Sequence, residues 1–202
     1  VYTDLYRLIR NSIVEGKTLE IGAGSGNMEI LGDDKVATDI VYAPWLDVSC
    51  DAQALPFADS SFSNIVMVDV LHHIARPALF LTEADRVLGH GGRIIMIEPG
   101  ITPLSYCFYR WFHDEEVDLN CDPLNASPTF SKDPFEGNQE LPTRLFGRDR
   151  QRIASVTPNL RLVQKAWLSL FAYPLSGGFR SWTLLPVCAV PSVLALERLI
   201  LP

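Results

Sequence analysis

The chain has 202 residues, 48% apolar and 20% charged, with 17 basic and 24 acidic side chains and a formal net charge of −7. At roughly 100–200 residues per domain this is one domain with a substantial core, which excludes a disordered, collagen-like or cysteine-scaffold chain. The acidic balance also argues against a nucleic-acid partner, since such a surface needs bases to neutralise phosphate.

The charge is uneven. Residues 1–100 hold 14 acids and 7 bases, whereas residues 101–202 hold 10 of each. The two parts are therefore expected to do different jobs, a ligand-binding half in 1–100 and a more variable region in 101–202. Cys50, Cys107, Cys121 and Cys188 lie far apart and lack zinc-site spacing, so they read as free thiols of a reducing cytoplasm. No signal-peptide pattern and no internal repeat is found.

Residues 4–14 have apolar side chains at helical spacing. Residues 17–21 (KTLEI) read as a short strand running into Gly22-Ala23-Gly24-Ser25-Gly26, and 27–31 as the first turns of a helix. A second strand spans 35–40 and ends on an acid. The next stretch, 41–50, is too short for a crossover helix, and 48–50 read as a brief third strand before Asp51-Ala52. Residues 65–70 (IVMVDV) form a continuous apolar run, as in a parallel strand buried on both faces. Residues 77–88 read as a helix with Pro77 in its first turn, Gly91-Gly92 as its stop, and 93–98 as a further strand. Strand, turn and helix alternate through 17–98, the pattern of a doubly wound α/β sheet.

The rest is less regular. Residues 103–113 are aromatic-rich and helical in pattern. Residues 118–143 are loop-like, 148–156 helical, 160–172 strand-like, and 176–179 (SGGF) a turn or lid hinge. Residues 182–201 are strongly apolar. They read first as packed helix, second as a contact with a membrane surface, and last as a span.

The glycine turn carries the chemistry. Placed directly after a strand, it lets a ligand approach the backbone closely. Dinucleotides and S-adenosylmethionine both use such turns. The dinucleotide fingerprint Gly-x-Gly-x-x-Gly fits Gly22 and Gly24 but meets Asn27 at its third glycine. Glu20 would repel a pyrophosphate, whereas S-adenosylmethionine presents an ammonium and a cationic sulfur. Asp39, 19 residues after Glu20, suits the ribose hydroxyls of either ligand. Asp51 suits an adenine amino group, and the backbone N–H of Ala52 suits a ring nitrogen.

The segments LEIGAGSGN (19–27), ATDI (37–40), DAQALPF (51–57), VDVLHHI (68–74) and EADRVLGHGGRIIMIEP (83–99), in that order, resemble the class I S-adenosylmethionine-dependent methyltransferases. The resemblance covers about residues 17–100. It implies a Rossmann-like, mostly parallel sheet with one reversed strand near its C-terminal end, and S-adenosylmethionine as cofactor. It assigns Glu20, Gly22, Ala23 and Gly24 to the methionine part of the cofactor, Asp39 and Ile40 to the ribose, Asp51 and Ala52 to adenine, and Val68 and Asp69 to the floor near the sulfonium. Ser63 stands where the family often has Asp. The short connection from Asp39 to Asp51 leaves Tyr42, Pro44 or Trp45 to cover the adenine edge.

Methyl transfer needs a general base only when the nucleophile must lose a proton. His72 and His73, just after the fourth strand, and His113, beyond the aromatic helix, are the candidates. No metal site is expected. The acceptor is expected to be small or lipid-linked and to be chosen by 101–180, where aromatics alternate with Arg144, Arg148, Arg150 and Arg152, guanidiniums suited to a carboxylate or phosphate. No Asn/Asp-Pro-Pro-Tyr motif for base methylation follows the fourth strand. The alternatives are a catalytically inactive S-adenosylmethionine-binding partner protein and, less favoured, an NAD(P)-dependent oxidoreductase. Nothing in the sequence sets an oligomeric state.

Overall fold

A computed structural model describes residues 2–112, 116–125, 133–169, 175 and 184–200. Five strands, β1 (Thr18–Ile21), β2 (Lys35–Asp39), β3 (Val48–Ser49), β4 (Phe62–Val68) and β5 (Leu88–Ile97), form one sheet in the order β3-β2-β1-β4-β5. Every pairing is parallel. The helices with described bounds are α1 (Tyr2–Ser12), α2 (Pro77–Val87), α3 (Pro103–Phe112), α4 (Leu141–Leu145), α5 (Ile153–Val156) and α6 (Val190–Ile200).

Side-chain alternation along the strands builds two cores. Leu19, Ile21, Ile65 and Met67 face one way and pack with Phe80, Leu81 and Ala84 of α2, together with Leu141, Leu145 and Ile153. Val66, on the opposite face of β4, packs with Ile9 of α1 and with Met28 and Leu31. The sheet is thus covered on both sides, which is why β4 reads as an unbroken apolar run. Asn64 is the polar exception in that strand. Fully buried, it accepts from the Val14 N–H at 2.8 Å and donates to the Val14 carbonyl at 2.8 Å and to Thr18 Oγ1 at 3.2 Å, fixing the α1–β1 connection to the sheet.

Several expectations are corrected. No α-helix follows the glycine turn. Residues Ala23–Ser25 and Glu29–Leu31 are single 3-10 turns, because Gly26 adopts φ +66° and breaks the helical path. Gly91-Gly92 does not stop α2, which ends at Val87 with Leu88 already extended. The pairing instead jumps from Phe62↔Leu88 to Asn64↔Arg93, so the glycines lie in a bulge of β5, with Gly91 at φ +77°. The expected reversed strand is not seen among the described residues. Residues 161–169 have no strand assignment, and 161–166 are exposed, so their alternation meets neither a pairing edge nor a core face. Residues 170–172 and 176–179 lie outside the described residues. The connection after β2 is helix-free, as expected. Asp47 returns to β2 by accepting the Ala37 N–H at 2.7 Å and donating its own N–H to the Ala37 carbonyl at 2.9 Å.

Candidate functional site

The C-terminal ends of β1–β4 open into one cleft of about 790 Å3. Open parallel sheets bind ligands at this edge because the strand ends and the loops that follow them converge there. Among the residues expected to hold the cofactor, Glu20, Gly22, Gly24, Asp39, Ile40, Asp51, Ala52, Val68 and Asp69 all line the cleft. Ala23 does not; it is buried, and its carbonyl accepts the Trp45 indole N–H at 2.9 Å.

The glycine loop is shaped by its neighbours. Gly22 sits at φ +79°, where a Cβ would lie 2.1 Å from Val70 Cγ2. A Cβ on Gly24 would lie 2.8 Å from Asp39 Oδ2, the oxygen that accepts the Gly24 N–H at 2.8 Å. Asp39 Oδ1 accepts the Val41 N–H at 2.9 Å. Two backbone donors therefore hold this carboxylate in place, each oxygen keeping a further lone pair. Asp51 is oriented by Gln53, whose backbone N–H and side-chain amide both donate to it at 2.8–3.1 Å. Gln53 in turn accepts the Arg76 N–H at the start of α2 at 3.0 Å. Asp69, directly after β4, adopts φ +55°, a conformation that costs a non-glycine residue roughly 1–3 kcal/mol and concentrates at functional sites.

Electrostatically, Glu20, Asp39, Asp51 and Asp69 line the cleft, and among the described residues no Lys or Arg does. Glu20 is 2% exposed, and its Oε2 lies 3.1 Å from Lys35 Nζ, which lies outside the lining. Lys35 offsets part of the charge on which the sequence argument against pyrophosphate relied. The fold replaces that argument with a stronger one, because no α-helix N-terminus stands behind the loop to receive a phosphate. Burial and the neighbouring Glu20 and Asp69 carboxylates push the Tyr6 phenol above its usual range. Burial does the same to the Cys50 thiol in the cleft wall.

The two histidine rings touch, with centroids 4.1 Å apart, but only one lines the cleft. His72 is 3% exposed and lies outside the lining, with Nδ1 2.8 Å from Glu98 Oε2. His73 lines the cleft, and its Nδ1 lies 3.1 Å from the Glu136 carbonyl. A carbonyl only accepts, so Nδ1 is the donor in this contact. His113 lies outside the described residues.

Sequence reasoning missed Glu98 as a positioning residue. Its Oε1 accepts the Val70 and Leu71 N–H groups at 3.0 and 2.7 Å, so one side chain at the end of β5 caps the turn carrying Asp69 and His73. It also missed Arg86, which donates to Glu83, Asp59 and the Leu55 and Phe57 carbonyls at 2.7–2.9 Å. This network ties DAQALPF to EADRVL. The arginine reading is corrected for two of its four residues. Arg144 pairs with Asp149 at 2.9 Å, and Arg152 with Asp122 and Asp149 at 3.0 Å, so both serve the fold outside the cleft.

These features define a nucleotide-type cleft on a Rossmann-like sheet, and the relatives agree. A methyltransferase-domain family model matches residues 19–96. The chain is 37% identical over 67 residues to the ubiquinone/menaquinone biosynthesis C-methyltransferase UbiE of Paracoccus denitrificans, covering 33% of this chain and 26% of that protein. The UbiE of Xylella fastidiosa is 26% identical over 160 residues, covering 78% of this chain and 54% of that protein. The YcgJ protein of Bacillus subtilis shares the fold at a TM-score of 0.55 and 16% identity, with 89% of this chain and 79% of that chain covered. Residues 19–96 are a methyltransferase domain of the class I family, whose cofactor is S-adenosylmethionine. The chain spans about a quarter to a half of the length of these UbiE relatives.

Proposed function

We propose that the chain transfers a methyl group from S-adenosylmethionine to a small, apolar acceptor, with His73 as general base. The observation that carries this reading is the cleft lining, which has four carboxylates and, among the described residues, no Lys or Arg; this suits a ligand with a cationic head and disfavours a pyrophosphate. The loop fits the cofactor as well, since glycine at 22 and 24 lets the backbone pack directly against Val70 and Asp39 and turn along the cleft.

In this reading Glu20 and the loop 22–24 hold the methionine part, Asp39 the ribose, and Asp51 with the Ala52 N–H the adenine. Val68 and Asp69 form the floor. When bound, S-adenosylmethionine supplies a methyl carbon on a positive sulfur, which keeps the bonding electron pair as the methyl leaves and becomes a neutral thioether. The chain's own residues do the rest. His73 takes the proton that the attacking atom releases, and its Nδ1 contact with the Glu136 carbonyl orients the ring. Glu98 and His72 hold the turn in place from behind. Residues 101–202 supply the acceptor side through Pro134 and Phe135. The named activity of the UbiE relatives, C-methylation in quinone biosynthesis, favours a ring acceptor.

Among the described residues no helix is long and apolar enough to cross a membrane. A lipid-linked acceptor would therefore be met at a membrane surface.

Titration calorimetry with S-adenosylhomocysteine and NAD tests the cofactor. Binding of the first and not the second is expected, and the reverse would overturn the reading. His73→Asn should lower turnover at least tenfold while leaving S-adenosylhomocysteine affinity within threefold. Unchanged turnover would remove His73 from the mechanism.

A further inference from the structure

Two side chains, one on β2 and one in the connection after it, meet a single peptide unit of the glycine loop. The Gly24 N–H donates to Asp39 Oδ2 at 2.8 Å, and the Ala23 carbonyl accepts the Trp45 indole N–H at 2.9 Å. These two groups belong to the same peptide, which is planar and trans, so they point in opposite directions. The Ala23 carbonyl also accepts the Gly26 N–H at 2.9 Å, a bond within the loop that closes the Ala23–Ser25 turn. Trp45 reaches the loop because no crossover helix follows β2. Residues 43–46 instead make a tight turn with Pro44 at its second position, closed by the Leu46 N–H on the Ala43 carbonyl at 3.1 Å. Asp47 then fixes that turn to Ala37 of β2. The indole packs directly on the loop, since a Cβ on Gly26 would lie 3.1–3.3 Å from three of its atoms. Trp45 is nevertheless 54% exposed and lines the cleft.

Resting on the methyl-transfer reading, we propose that Trp45 is a positioning residue for the cofactor, acting on Asp39 through the Ala23–Gly24 peptide that the two side chains hold from opposite edges. This peptide runs into a glycine, whose φ is little restricted, so nothing local stops it from turning over. Turned over, it would withdraw the Gly24 N–H from Asp39 and bring the Ala23 carbonyl oxygen toward that carboxylate, one acceptor against another. The indole N–H opposes this by holding the carbonyl on the far edge, from outside the loop. Asp39 is then already oriented when the ribose hydroxyls arrive. The fraction of chains in that arrangement scales the apparent affinity.

The test is calorimetric titration of the full chain with S-adenosylhomocysteine, in a cycle that combines Trp45→Phe with Asp39→Ala. Trp45→Phe keeps an aromatic ring and removes the N–H. It should weaken binding at least about fivefold, while Tm stays within about 3 °C of wild type because the ring is half exposed. In the Asp39→Ala background the same change should cost less than about twofold, since residues that act through one peptide do not add. Replacing Trp45 by benzothienylalanine, which keeps the bicyclic shape and lacks the N–H, should reproduce the Trp45→Phe loss. Unchanged affinity in both the Trp45→Phe and the benzothienylalanine chains would overturn the proposal. So would a Trp45→Phe loss that benzothienylalanine does not share, because ring shape would then be what matters. A Trp45→Phe loss undiminished by Asp39→Ala would place the indole on the ligand itself and overturn it as well. Failure of the wild-type chain to bind S-adenosylhomocysteine overturns the parent reading, whereas wild-type binding without the coupling to Asp39 overturns this proposal alone.

Discussion

Replacing Asp39 by Ala separates the two jobs given to one carboxylate. In the free chain, Asp39 accepts the Gly24 and Val41 N–H groups at 2.8 and 2.9 Å, both at exposed positions. Bonds to a charged group are worth about 1.5–3 kcal/mol each when buried, and exposure reduces that to about 1 kcal/mol or less. The variant should therefore lose about 1–2 kcal/mol of stability, a Tm drop of roughly 2–8 °C for a chain of this size. In the loaded chain the same carboxylate would also accept two ribose hydroxyls. Even at the low end, about 1.5 kcal/mol each, that adds about 3 kcal/mol, roughly a hundredfold in Kd. Asp39→Asn should lose nearly as much, because its amide nitrogen would face one of the two N–H donors. Calorimetry with S-adenosylhomocysteine reads the affinity and scanning calorimetry the stability. A variant that loses several degrees of Tm and still binds within threefold of wild type would refute the ribose assignment, leaving Asp39 as a loop brace.

Two predictions concern the frame behind the cleft. Arg86→Ala removes the donors to Glu83, Asp59 and the Leu55 and Phe57 carbonyls and should cost about 2 kcal/mol, a Tm drop of about 4–8 °C. Arg86→Lys should recover little, since an ammonium cannot reproduce the planar fork, and full recovery of Tm by lysine would count against the network account. Glu140 has a buried Oε2 with no partner, and burial raises its carboxyl above the ordinary 4.5 despite Arg144 nearby. Because the folded value lies above the unfolded one, its contribution is favourable below the unfolded value and is lost as pH rises through the folded one. Glu140→Gln should therefore raise Tm at pH 7, with the gain shrinking below about pH 4, where the wild-type carboxyl is protonated in both states. A gain that persists at pH 3.5 would point to packing instead of ionisation.

Periodicity and punctuation made much of the frame legible. The strands of 17–98, α2 with Pro77 at its start, the helix-free step from Asp39 to Asp51, and the acids at the strand ends could all be read locally. Each depends on neighbours within a few residues, or on the period-2 and period-3.6 patterns that burial imposes. The failures share a different cause. Gly91-Gly92 looked like a helix stop because the bulge exists only in the register of β5 against β4. The alternation at 160–172 suggested a strand, but a strand also needs a pairing edge, and local pattern does not supply one.

The site divides in the same way. The chain order of Glu20, Gly22, Gly24, Asp39 and Asp51 determined which residues line the cleft, since parallel strands deliver their C-terminal ends to one edge of the sheet. Only the tertiary structure decided how they are held and which histidine faces the cleft. Lys35 meets Glu20 because the β1–β2 register sets Ala37 opposite Glu20, with Lys35 two residues back on the same face. Glu98 reaches the turn after β4 from a neighbouring strand 27–28 residues away in sequence. His72 and His73 are adjacent in the chain, yet one pairs in the interior with Glu98 and the other lines the wall beside Phe135. Their rings touch, with centroids 4.1 Å apart, so what distinguishes them is the packing of each against distant segments.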